Sequence, residues 1–192
     1  EQFRTAITYS IEKNHATKTI SYKDRIARDQ YWYDEDRTFN WKILPETVKI
    51  GEYETQKAET TFAGRKWSAW FTQDLPFIDG PYKFSGLPGL IVKVEDEKGD
   101  YSFDLKETKK IAELPNFESR FGNNIKVKRS EFLKQQEKFN KDPMSFFQNQ
   151  GGGFAMRMGG NQNPQNEAER RKMMEERLKE EAKANNNPLE KN

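Results

Sequence analysis

Residues 67–96, WSAWFTQDLPFIDGPYKFSGLPGLIVKVED, decide how this chain is read. The stretch opens with Trp67, Ala69 and Phe71 on one side of an alternating pattern and Trp70 on the other. Period-2 alternation is the signal of a strand with one buried face. It closes on Leu90-Ile91-Val92-Lys93-Val94, a second strand. The loop between them carries Pro76, Gly80, Pro81, Gly86, Pro88 and Gly89 among aromatic residues. Glycine supplies φ > 0 or close backbone approach, and proline fixes φ and withholds a donor, so this loop follows one defined path.

The same alternation extends in both directions. Residues 5–12 place Ile7, Tyr9 and Ile11 on one face, and residues 17–26 repeat the pattern with Ile20 and Tyr22. Residues 30–33 and 38–43 read as further strands. Stretches 47–62 and 65–73 flank Ala63-Gly64, a tight hairpin signal. Downstream, Glu97-Lys98-Gly99-Asp100 turns the chain back into residues 101–105. Strand-turn-strand spacing without intervening helix predicts a mainly β, α+β chain: a curved antiparallel sheet with one or two C-terminal helices. Such a sheet tolerates one wet face, which accommodates the charge between its apolar positions.

The domain reading follows. Residues 1–128 form the antiparallel β domain, and residues 129–147 a short helix capped by Ser130 and ended by Asp142-Pro143. Residues 148–166, rich in Gly, Asn and Gln, are expected to be a flexible loop. Residues 167–192 give a charged helix and terminus, with Glu167 and Arg171, and Glu175 and Lys179, spaced i,i+4. The apolar content of that helix is Met173, Met174 and Leu178 with some alanines, too little for burial and suited to a partner contact.

Composition narrows the function classes. Hydrophobic and charged residues each make up 33% and aromatics 13%, a mean of an aromatic-rich globular part and a polar tail. The net charge of +2 comes from 33 basic and 31 acidic residues mixed along the chain, with no one-sided basic footprint for nucleic acid. The absence of cysteine excludes disulfides and thiolate chemistry. No apolar run approaches the roughly 18 residues that a spanning helix needs. The sequence opens at Glu1 without an export leader, and the expectation is a processed product or fragment that lacks upstream strands.

Candidate chemistry is thin. His15, the single histidine, sits in Asn14-His15-Ala16, which reads as a turn rather than part of a triad. One histidine and no cysteine cannot supply the common zinc sets, and no metal or cofactor is expected. Asp74, Asp79, Asp96 and Asp100 could supply a glycosidase-like carboxylate pair in an aromatic cleft, but Asp79-Gly80 reads as a turn and Asp96 to Asp100 as a hairpin end, where aspartate bonds its own backbone. Glu95-Asp96-Glu97 lacks calcium-loop spacing, and Met156 and Met158 lie in a Gly-rich linker rather than a copper site. Trp67, Trp70, Phe77, Tyr82 and Phe84 crowd the Gly/Pro loop with Leu87 and Pro88. They are either a binding platform or core packing that holds the loop rigid.

The hexapeptide Gly86-Leu87-Pro88-Gly89-Leu90-Ile91, with Asp79-Gly80-Pro81-Tyr82-Lys83-Phe84 before it, resembles the signature of the GLPGLI family of exported bacterial envelope proteins. The resemblance covers about residues 20–111, and the ending Asn186-Asn187-Pro188-Leu189-Glu190 also looks like that family's terminus. It implies a periplasmic or outer-membrane-associated location, peripheral given the lack of a long apolar run, and brings no catalytic residues to carry over. Members commonly carry a cysteine after a Gly-Tyr pair; here the pair region is Gly51-Glu52-Tyr53-Glu54, so any thiol role is absent. The resulting expectation is a non-enzymatic envelope protein that binds a protein partner, as an accessory subunit of an outer-membrane transporter or assembly complex. The alternative is a lipid- or hydrophobic-peptide-binding protein that uses the aromatic cluster.

Overall fold

Alternating burial builds the strands, and in chain order they are β1 (Ser10–Asn14), β2 (Thr19–Ile26), β3 (Asp29–Asp34), β4 (Lys42–Ile50), β5 (Tyr53–Phe62), β6 (Arg65–Thr72), β7 (Leu90–Asp96), β8 (Ser102–Asp104) and β9 (Asn124–Lys126). Helix α1 (Arg129–Lys141) follows. The computed structural model describes residues 8–113, 123–143, 172–173, 176, 180 and 189–190. The chain divides into two compact units, one of Glu1–Asp36 with Glu118–Asn187 and the other of Arg37–Phe117 with Pro188–Asn192. The expected mainly β, α+β class is the one observed, and antiparallel pairing dominates.

The second unit holds a five-stranded antiparallel sheet in the order β4-β5-β6-β7-β8. Arg65, Trp67, Ala69 and Phe71 of β6 are buried, and their cross-strand partners on β5 include Phe62, Thr60 and Ala58, also buried. On β7, Val94 stands opposite Ala69. Phe84 and Leu87 of the loop between β6 and β7 close this core. The opposite face carries Trp70, which sits between Lys57 and Lys93 in one cross-strand row. Their ammonium groups lie 5.9 and 5.4 Å from its ring, and Glu59 and Glu95 pair with the same lysines at 3.0 and 2.8 Å. The lysine stems thus shield a half-buried indole while their charges stay in water.

The first unit has the order β1-β2-β3-β9, antiparallel except for the parallel β3–β9 pair. Ile26, Tyr33 and Phe132 form its core, and Tyr22 stacks on Tyr9 and Tyr33 with 5.3 Å between centroids in each case. Trp32 repeats the arrangement around Trp70, with Lys23 and Lys126 as its row neighbours and ammonium groups 5.9 and 4.5 Å from the ring.

Three local expectations change. The stretch 47–62 is two strands, because Gly51 at φ 60° turns the chain between β4 and β5. The sheet is two sheets, with the break between β3 and β4, and β9 adds to β3 from far along the sequence. Lys128, not Ser130, is the helix N-cap, and its carbonyl accepts from the Phe132 N–H at 3.0 Å. His15 is exposed in the β1–β2 turn, where the Asn14 side chain accepts from the Ala16 and Thr17 N–H groups. The Gly-rich loop at 148–166, with Met156 and Met158, lies outside the described residues. Lys172, Met173, Glu176 and Glu180 are helical, whereas Met174 and Leu178 lie outside the described residues.

The two glycines of the hexapeptide serve different ends. A Cβ on Gly89, whose φ is +158°, would stand 2.0 Å from the Thr72 carbonyl oxygen, whereas one on Gly86, at φ +91°, would meet nothing within 4 Å. Gly89→Ala should therefore cost about 3 kcal/mol or more from collision plus backbone strain, and Gly86→Ala only about 1–2 kcal/mol from backbone strain. Urea unfolding of the two variants measures this; equal losses would remove the steric role assigned to Gly89.

Candidate functional site

The loop between β6 and β7 is held at both ends by its own backbone. The Ile91 N–H donates to the Asp79 carbonyl at 2.9 Å, and the Phe84 N–H to the Pro81 carbonyl at 3.0 Å. Within that turn Tyr82 takes φ 52°, a left-handed conformation that costs a non-glycine residue about 1 kcal/mol. The turn sends neighbouring side chains to different tasks. Phe84 is fully buried, with Phe39, Trp41, Phe62, Trp67 and Tyr82 rings at 4.8–6.2 Å between centroids. The Trp41 indole N–H donates to the Ser85 carbonyl at 2.8 Å and pins the loop to the residues before β4.

Lys83 has no exposed surface either, and its ammonium meets the Glu190 carboxylate at 2.6 Å. The Tyr82 hydroxyl donates to the same oxygen, Oε1, at 2.6 Å, while Arg37 Nη2 donates to Oε2 at 2.7 Å. Arg37 also lies over the Phe62 ring at 4.5 Å, and Leu189 packs against the aromatic core. Burial pushes the Glu190 carboxyl up, but the Lys83 charge and the hydrogen bonds from Lys83, Tyr82 and Arg37 outweigh it and hold the group below its ordinary value. Two cations and a phenol thus form a cradle around one carboxylate supplied from the far end of the sequence.

The nominated residues separate on this geometry. Trp67, Phe84 and Leu87 are core, and Tyr82 lies at its margin. Trp70 is on the other sheet face, Phe77 is 55% exposed, and Pro88 is exposed. Met173 is exposed at 69%. The nominated carboxylates have structural partners: Asp79 accepts from the Gly80 N–H at 2.7 Å, and Asp96 accepts from the Tyr101 N–H at 2.8 Å. Arg65 Nη1 bonds Asp96 at 2.8 Å and Asp100 at 2.7 Å, both in the hairpin end of β7–β8. Among the described residues no three His, Cys, Asp or Glu side chains group to hold a metal. Sequence reasoning missed Arg37, Arg65, Lys83 and Glu190 as partners. A lysine set between two aromatic rings in a core loop was the available signal for a buried cation.

Two outcomes follow from these ion pairs. Arg65→Met leaves the buried Asp96 carboxylate uncompensated and should lower stability by about 3–5 kcal/mol in denaturant unfolding; a loss under 1 kcal/mol would make the pair peripheral. For Glu190 the folded group titrates below its ordinary 4.5, so its stabilisation is complete above that value and is lost as pH falls through the folded pKa. The melting-temperature gap between wild type and Glu190→Gln should be constant from pH 6 to 8 and shrink as pH falls below 4.5 toward the lower folded value. Asp24, which burial pushes up against the opposing bonds from Arg25, Thr8 and Tyr22, has the reverse sign and is present in both proteins, so the gap isolates Glu190. A gap that widens in acid would contradict the assignment.

Residues 60–93, which contain the hexapeptide, match a family model described as a protein of unknown function (Porph_ging). No curated protein sequence matches the chain. Among solved structures it is similar to PNGF-II in its P21 crystal form, at 22% identity and TM-score 0.55 over 66% of this chain and 24% of that one. The C2 form gives 20% identity and TM-score 0.54 over 70% and 25%. The likeness is one of fold, and the chain spans about a quarter of the length of PNGF-II.

Proposed function

We propose that this protein is a non-enzymatic binding protein of the bacterial envelope, peripheral to the outer membrane, that engages a protein partner as an accessory subunit of an outer-membrane complex. The observation that carries the reading is the open β4 edge. Among the described residues β4 has β5 as its one strand neighbour in the five-stranded sheet, and with nine residues it is the longest edge strand of either sheet. It leaves Ile43 46% and Val48 47% exposed. Backbone groups on such an edge are a template for a partner strand, and exposed aliphatic side chains add area to the contact. Pro45 and the irregular register between Ile43 and Thr47 interrupt the edge, which limits pairing to short, specific segments and guards against open-ended association. Support for the envelope setting is the resemblance carried by residues 79–91. Support for a non-enzymatic role is the engagement of Asp79, Asp96 and Asp100 in turn and ion-pair bonds.

Capture of the tagged full-length protein from native envelopes in mild detergent tests this, with mass spectrometry of the bound species. Wild type should retain a stoichiometric outer-membrane protein, and the Ile43→Lys/Val48→Lys variant should retain it at least about tenfold less while melting normally. No stoichiometric partner, or equal capture by the variant, would remove the proposal.

A further inference from the structure

The cradle has the makeup of a receptor. Arg37, Tyr82 and Lys83 serve both oxygens of one carboxylate, Lys83 is completely buried, and the Glu190 side chain keeps only 14% of its surface. Leu189 fills apolar space beside it. Between helix α1 and this pair the sequence runs through residues 142–188, so Glu190 is 107 residues from Lys83 along the chain. Its carboxylate is held by side-chain contacts from Arg37, Tyr82 and Lys83.

We propose that Arg37, Tyr82 and Lys83 form a binding site for acidic peptide segments, of which the chain's own Leu189–Glu190 is the resident and exchangeable occupant. The chemistry that recognises such a segment is an aliphatic side chain packed on the aromatic core followed by a glutamate carboxylate. A neutral amide in place of the carboxylate leaves the Lys83 charge buried without its counter-ion, so the site discriminates strongly against it. A tethered occupant meets the site intramolecularly, which keeps the site closed in the intact chain until a competing segment is abundant or the tether is cut. The β4 edge takes no part, and this inference does not depend on it.

Exchange in a nicked full chain tests the proposal. A protease recognition sequence inserted between Gly152 and Gly153 allows the purified protein to be cut after folding. Excess fluorescent fragment spanning residues 153–192 is then added and its incorporation followed by size exclusion. Wild-type fragment should replace the resident one, and fragment carrying Glu190→Gln should enter at least about 100-fold less well. A synthetic peptide of residues 186–192 should compete with the labelled fragment, and its Gln counterpart should not. Absence of exchange, equal entry of the Gln fragment, or aggregation of the nicked protein would each overturn the proposal, because an exchangeable occupant must leave a folded receptor and depend on its carboxylate. Since no step uses the β4 edge, failure of the envelope capture leaves this result standing, and the reverse holds too.

Discussion

An ammonium group with no exposed surface must be neutralised where it stands, and in the second unit that group is Lys83. The residue cannot turn outward, because Phe84 next to it is fixed among five rings and Tyr82 before it is held in a left-handed turn. The backbone that seats Phe84 therefore dictates where the charge lies. Glu190 answers it, and the last described residues of the chain become part of the core of a unit that starts at Arg37. The desolvation penalty of the lysine and the need for its partner are one constraint.

The rest of the sheet handles charge by the same logic in a milder form. Arg65, 2% exposed, is matched by Asp96 and Asp100 across the β7–β8 turn, so the hairpin end is tied by ions as well as by backbone bonds. On the wet face the lysines flanking Trp70 cover the indole with methylene stems and pair with Glu59 and Glu95. Trp32 in the first unit has the same company, Lys23 and Lys126. A row of lysine, tryptophan and lysine across three strands reconciles a large apolar ring with a solvated sheet face. It also accounts for a chain that is one-third charged yet forms ordinary sheets.

Legibility in the sequence divided along the range of the interactions. Period-2 alternation marked parts of β1, β2 and β6, the apolar run after the Gly/Pro loop marked β7, and the Gly99 turn located β8, because those features are set within a few residues. The break at Gly51 was hidden because Thr47–Ile50 and β5 both carry strand-like residues. The first sheet is completed by β9 pairing with β3 about ninety residues away, and no local pattern encodes that. Aromatic crowding around the loop was visible, but alternation alone could not say that Trp67 and Phe84 face inward while Phe77 is exposed. In the sequence Glu190 reads only as part of a terminal motif; its partners, Arg37, Tyr82 and Lys83, emerge only when the chain is folded.

The topology fixes an order of events during synthesis. β3 is complete long before its neighbour β9, and every strand of the second unit emerges in the interval, so the first unit can close only after the second has been made. The second unit in turn lacks the counter-ion for Lys83 until residue 190 leaves the ribosome. A chain cut short between α1 and residue 190 would carry Lys83 without that counter-ion. The pairing of Lys83 is thereby tied to the synthesis of residue 190, which lets a buried ion pair report whether that residue has been made.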